Sequence, residues 1–233
     1  MKIGNIPLTF DILSLFIDSR YRFWVGTREG LFLYDKLTGC GKKMRLHSTD
    51  NYIINAICED KDQNIWLATN RGVIQIQKGN VSPTEIIKEF EEKASIVSRY
   101  VLSILAATDG RIYVGYSNGF GVISRKESKI VEYYTVNDGL CNDEVACLTQ
   151  DDNGQIWLGN SSGVSRYSAS QKLFYNNYIS GSNSSVLLLD STLFWGNNKC
   201  LTYFDPQKVN QIPVNNHVFL VMLIVNNEVI NTG

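Results

Sequence analysis

The chain has 233 residues, 44% of them hydrophobic and 19% charged, which is enough apolar material for a globular core. Its formal net charge of −1 gives no basic excess for a phosphate-tracking surface, so neither nucleic acid nor anionic lipid is an expected partner. The five cysteines (Cys40, Cys58, Cys141, Cys147, Cys200) are odd in number and show no CxxC spacing, which argues against a disulfide framework or a zinc site.

The N-terminal stretch MKIGNIPLTFDILSLFID lacks the basic start, long apolar run and cleavage site of a secretory signal. No window approaches the ~20 apolar residues of a membrane helix, so no membrane contact is expected of this chain. From Ile12 onward one pattern recurs. An apolar strand leads into a polar turn, then an aromatic residue, a small residue two positions later, and a glycine turn four positions after that. The copies run over Ile12–Tyr34, Ile54–Ile76, Ser103–Ile123, Val145–Tyr167 and Val186–Phe204. Their aromatic anchors are Trp24, Trp66, Tyr113, Trp157 and Phe194. Gly26, Ala68, Gly115, Gly159 and Gly196 follow two positions later. Gly30, Gly72, Gly119, Gly163 and Cys200 follow six positions after each anchor.

Each copy reads as a strand, a hairpin at sequences such as Asp109-Gly110 or Asp152-Asn153-Gly154, a second strand carrying the anchor, a glycine turn and a third strand. A looser fourth strand follows, as at Lys129–Thr135 and Leu173–Tyr178. A four-stranded antiparallel unit of about 40–45 residues has the size of a propeller blade. The expected fold is therefore all-β, five blades over residues 1–212. The anchors are expected to fill the space between adjacent blades. Acids at strand ends, Glu59-Asp60 and Asp151-Asp152, read as solvated turn residues.

Strand alternation puts the turn between strands two and three at the same end of a blade as the connection to the next blade. That end collects Arg28, Glu29, Asn70, Arg71, Tyr116 and Asn118 from the turns. From the connections it collects Arg99, Tyr100, Asp138 and Asn142. Amides, hydroxyls, arginines and tyrosines suit a polyhydroxylated ligand. The same residue types also favour turns for purely structural reasons. Catalysis is not expected: His47 and His217 stand in no metal-ligating spacing, and there is no phosphate loop or nucleophile elbow. No cofactor and no metal are expected.

The motif Asp-x-x-Gly, Ile-Trp-Leu-Gly-Thr, x-x-Gly-Leu, x-x-Tyr, with Val-Asn-Asp-Gly-Leu-Cys-Asn-Asp-Glu-Val at Val136–Val145, resembles the two-component regulator propeller repeat. Pro213-Val214 and the residues after them resemble the opening strands of the sandwich module that follows such propellers, giving an expected second segment over 213–233. The resemblance implies the periplasmic sensor region of a hybrid histidine kinase. It implies an oligosaccharide ligand and the rest of the sensor kinase chain as partner. It also implies more blades than five, so that the five here close, remain an open arc, or pair as a homodimer. The runner-up functions are a protein-interaction scaffold and a propeller glycan lyase or hydrolase.

Overall fold

The computed structural model describes residues 11–35, 40–46, 52–78, 84–85, 99–124, 129–177, 183–197, 201–209, 223–225 and 228–230. The repeats form five antiparallel sheets in chain order. Blade 1 is β1 (Ile12–Ile17), β2 (Phe23–Thr27), β3 (Gly30–Asp35) and β4 (Cys40–Lys43). Blade 2 is β5 (Ile54–Glu59), β6 (Ile65–Thr69), β7 (Gly72–Ile76) and β8 (Thr84–Glu85). Blade 3 is β9 (Val101–Ala106), β10 (Arg111–Tyr116), β11 (Gly119–Ser124) and β12 (Lys129–Tyr134). Blade 4 is β13 (Cys147–Gln150), β14 (Ile156–Asn160), β15 (Gly163–Ser168) and β16 (Leu173–Asn177). Blade 5 shows three described strands, β17 (Asn183–Leu189), β18 (Thr192–Asn197) and β19 (Leu201–Phe204). A short two-stranded ribbon, β20 (Leu223–Val225) and β21 (Glu228–Ile230), lies in the tail. Every blade is a meander whose strands pair with their sequence neighbours, the arrangement of a β-propeller. Cys40, Cys200, His47 and His217 lie outside the residues whose side chains are described.

The core is a series of layers between blades. Trp24 packs with Ile54, Ile65 and Leu67 of blade 2. Trp66 packs with Val101, Ile104 and Val114 of blade 3. Tyr113 packs with Ile156, Leu158 and Tyr167 of blade 4. Trp157 packs with Leu193 and Trp195 of blade 5. Each anchor thus covers the next blade, and the four are at most 1% exposed. Buried among blades 4 and 5, the Cys147 thiol is pushed up to about 12.

The anchors are held by a device the sequence reading missed. The indole Nε1 of Trp24, Trp66 and Trp157 donates to Oδ2 of Asp18, Asp60 and Asp151 at 2.8, 2.9 and 2.8 Å. The other carboxylate oxygen accepts backbone N–H groups of the same hairpin: Arg20 and Arg22, Asp62 and Asn64, Asn153 and Gln155. Asp60 and Asp151 are therefore buried, not solvated turn acids as their position led one to expect, because hairpin and indole together satisfy the charge. These bonds also support left-handed backbone at Tyr21 (φ 60°) and Gln63 (φ 65°), where blades 3 and 4 use Gly110 and Gly154. In blade 3 the anchor is Tyr113, whose hydroxyl reaches Asp109 at 2.7 Å. In blade 5 it is Phe194, which has no donor.

A second device joins blades through the small residue after the anchor. Gly26, Gly115, Gly159 and Gly196 pair across strands one and two with Ser14, Ser103, Cys147 and Ser185. Ser14 Oγ and Ser103 Oγ donate to the carbonyls of Ile54 and Val145, each in the next blade, at 3.3 and 2.9 Å. Blade 2 carries Ala68 opposite Ala56, so the hydroxyl is missing there. The neighbouring Asn55 Nδ2 supplies the bond instead, donating to the Val101 carbonyl at 2.6 Å.

The two ends of the array differ from its interior. Leu15 is 59% exposed and Leu187 is 56% exposed, although residues in the same register inside the array pack on a neighbouring blade. Leu13, Ile17, Leu189, Leu201 and Tyr203 are exposed with them, and Phe194 stacks on Tyr203 of its own sheet. Both terminal faces therefore present blade-interface residues to solvent.

Blades 3 and 4 are also clamped at their outer edge. Glu132 accepts hydrogen bonds from the Tyr134 and Tyr167 hydroxyls at 2.7 and 2.9 Å, and Lys172 Nζ lies at 2.9 Å. Burial works against the Glu132 charge, but Lys172 and the two hydroxyls outweigh it and hold the carboxyl below its usual range. A depressed carboxyl contributes stability that is present above its unfolded-state pKa and is lost as pH falls through the folded value. The Glu132→Gln variant is expected to show a flatter loss of thermal stability than wild type between about pH 5 and pH 3. Thermal unfolding followed by circular dichroism at each pH reads this. Parallel acid limbs would show that Glu132 contributes nothing to the linkage.

Candidate functional site

In blades 1 to 3 the turn between strands two and three lies beside the start of strand one, at the connection end. Backbone bonds fix this: Asn70 N donates to the Ile53 carbonyl, Ser117 N to Tyr100, and Arg28 N to Asp11. In blades 1 and 2 a buried threonine closes the turn. Thr27 Oγ1 and Thr69 Oγ1 donate to the carbonyls of Gly30 and Gly72, whose φ values of 127° and 121° favour glycine. In blade 4 Asn160 Oδ1 accepts from the N–H groups of Ser162 and Gly163 instead.

The ten residues nominated from sequence fall into three groups. Arg28 and Glu29 are exposed, and Arg28 Nε forms an exposed ion pair with Asp11 at 2.9 Å. Such a pair contributes little to stability and competes weakly with a ligand. Arg71 is exposed, with its guanidinium 5.5 Å from the ring of buried Tyr52. Arg99 is exposed, while Tyr100 and Asn118 are half-buried.

The second group is tied into the scaffold. Asn70 Oδ1 accepts from Ile53 N at 3.0 Å. Asp138 Oδ2 accepts from the Thr135 backbone and hydroxyl, forming the capping box of a 3-10 turn at Val136–Asp138. Asn142 Nδ2 donates to Ser162 Oγ at 3.0 Å, linking the blade connection to the turn. Tyr116 stands alone: it is 1% exposed and packs edge-on to Tyr133 within the core between blades 2 and 3. Its column, three after the anchor, holds the buried Thr27, Thr69 and Asn160 in other blades, and that alignment was the signal available in the sequence.

At this end the chain offers arginines, amides and hydroxyls on a pre-formed frame of hydrogen-bonded turns. It can bind a polar solute by directional bonds. The described residues contain no group of three or more His, Cys, Asp or Glu placed to hold a metal ion.

The fold is that of a β-propeller, and two segments of the chain match a family model. Residues 48–71 and 139–162 match the two component regulator propeller family. The whole chain is 26% identical to Histidine kinase P4 of Formosa agariphila and spans 19% of that protein. The fold matches the extracellular domain of the hybrid two component system BT4673 from B. thetaiotaomicron with a TM-score of 0.74. That match has 18% identity and covers 94% of this chain and 33% of the other. It also matches a catalytically inactive virginiamycin B lyase from Staphylococcus aureus, with a TM-score of 0.66, 13% identity, 82% of this chain and 65% of the other. At these identities the two structural likenesses concern fold alone.

Proposed function

We propose that this chain is part of the extracytoplasmic, ligand-sensing region of a two-component receptor and signals to a histidine kinase. The propeller repeats carry this reading, together with the likeness to Histidine kinase P4 over the full length of the chain. Residues 213–233 begin a following sandwich module, and β20 and β21 supply two strands in keeping with it. The ligand is an oligosaccharide held at the connection end. Arg28, Arg71 and Arg99 serve acidic or hydroxyl groups, and Tyr100, Asn118 and Glu29 line the same surface.

A second reading, contact with protein, has its own observation. The apolar faces of β1 and of β17–β19 are exposed, and their register is that of buried blade interfaces. Their occupants are further blades of the receptor or a second copy of the chain, so this reading complements sensing.

The test is a thermal-shift and calorimetric screen of oligosaccharides against wild type and a variant with Arg28, Arg71 and Arg99 replaced by Ala. A ligand at a hundred times its Kd raises stability by about 2.7 kcal/mol. The shift is expected in wild type and should vanish in the triple variant. A ligand that binds the variant as well as wild type moves the site elsewhere, and turnover of the sugar would favour a lyase or hydrolase.

A further inference from the structure

A cavity of about 430 Å³ opens at the opposite end from the face described above, between blades 4 and 5. Its size falls within the range of small-molecule sites. Arg166 and Tyr175 of its lining are directly paired across β15 and β16, and the buried Trp157 pairs with Arg166 from β14. The Arg166 guanidinium lies 4.6 Å from the Tyr175 ring centroid and 5.8 Å from that of Trp157. The residue is 6% exposed, and its Nε is buried without a hydrogen-bond partner.

A guanidinium carries five donors in a plane, and ring faces satisfy none of them. Burying its Nε without an acceptor is costly. The acid of the lining is Asp151, and its carboxylate is occupied by the Trp157 indole and by the backbone of Asn153 and Gln155. Arg166 forms no ion pair among the described residues. Nor is arginine a requirement of the blade, since the other copies carry Leu33, Gln75, Val122 and Tyr203 at this position. Apart from Pro206, the remaining wall is amide and hydroxyl: Asn153, Gln155, Ser168, Ser170, Gln171 and Gln207.

We propose that this cavity binds a small polyhydroxylated molecule bearing an oxyanion, a sugar acid, with its carboxylate on the fork of Arg166 and its hydroxyls on the surrounding amides. The fork matches a carboxylate in two parallel bonds, and the Trp157 and Tyr175 rings flank it. The site does not depend on the sensing role, and it shares no residue with the connection-end face.

The experiment is isothermal titration of the full chain with D-glucuronate, D-galacturonate and D-mannuronate, with D-glucose and sodium sulfate as controls. Saturable binding of at least one hexuronate is expected, with glucose silent and sulfate weaker. Arg166→Gln should weaken it at least about tenfold, and Arg166→Lys should retain part of it. Should Arg166→Gln fail to fold, Gln207→Glu decides, because it adds a negative charge on an exposed side chain at the mouth and should weaken hexuronate binding. Absence of hexuronate binding in wild type overturns the proposal. So does undiminished binding in Arg166→Gln or in Gln207→Glu, and so does sulfate binding as tightly as the hexuronates.

Discussion

Replacing Asp60 by Ala is expected to destabilise the protein by about 3 kcal/mol, read as a drop in the urea or thermal midpoint. Asp60 Oδ2 accepts from the Trp66 indole and from Asn64 Nδ2, while Oδ1 accepts from the backbone of Asp62 and Asn64. Deleting the carboxylate leaves a buried indole N–H without an acceptor. Each such orphan costs about 1–3 kcal/mol, and bonds to a charged acceptor lie at the upper end. The turn loses its support as well, and Gln63 holds a left-handed φ within it. Asp60→Asn should cost less, because its amide oxygen still accepts one of these bonds. A double-mutant cycle with Trp66→Phe isolates the indole bond: a coupling of about 1 kcal/mol or more is expected. Additive effects would show that Asp60 acts on the hairpin alone. Because stability in a repeat array is distributed over units and their interfaces, the loss should appear first in blades 2 and 3. Hydrogen exchange of those strands locates it.

Gly115→Ala is expected to cost about 3 kcal/mol as well, by overpacking rather than by a lost bond. A Cβ on Gly115 would lie 2.2 Å from Ser103 Oγ and 2.4 Å from the backbone carbonyl of Val145 in the next blade. The hydroxyl can turn aside, but the carbonyl cannot move without moving β13. Changing Ser103 to Ala at the same time should recover only part of the loss, since the Val145 clash remains and that carbonyl loses its 2.9 Å bond from Ser103. Blade 2 tolerates Ala68 because its partner is Ala56 and Asn55 makes the inter-blade bond from a different position. Adding Leu102→Asn to Gly115→Ala/Ser103→Ala copies that arrangement. It is expected to recover more than the double change does, by differential scanning calorimetry. No recovery would mean that blade 2 accommodates its alanine through backbone spacing.

The column of Asp residues six before Trp24, Trp66 and Trp157 was legible in the sequence, and its meaning was not. A carboxylate ahead of a hairpin looks like any turn acid until the indole is seen to return over it. The same holds for Ser14, Asn55 and Ser103, whose bonds run to the next blade, about forty residues on in sequence. Tyr116 shows the converse. It sits between turn residues and reads as surface, yet its column points inward in blades 1 to 4. Arg166 gave no local signal at all, because its setting comes from Trp157, Tyr175 and the Pro206-Gln207 corner beyond blade 5.

The blade itself was determined by the sequence, since strand alternation, turn glycines and anchor spacing are local properties fixed by backbone geometry and solvent exclusion. Only the tertiary structure decided which polar groups are satisfied, which faces remain uncovered and where a cavity forms. Those depend on groups brought together from neighbouring blades, and a separation of some forty residues leaves no periodic trace of which atom meets which.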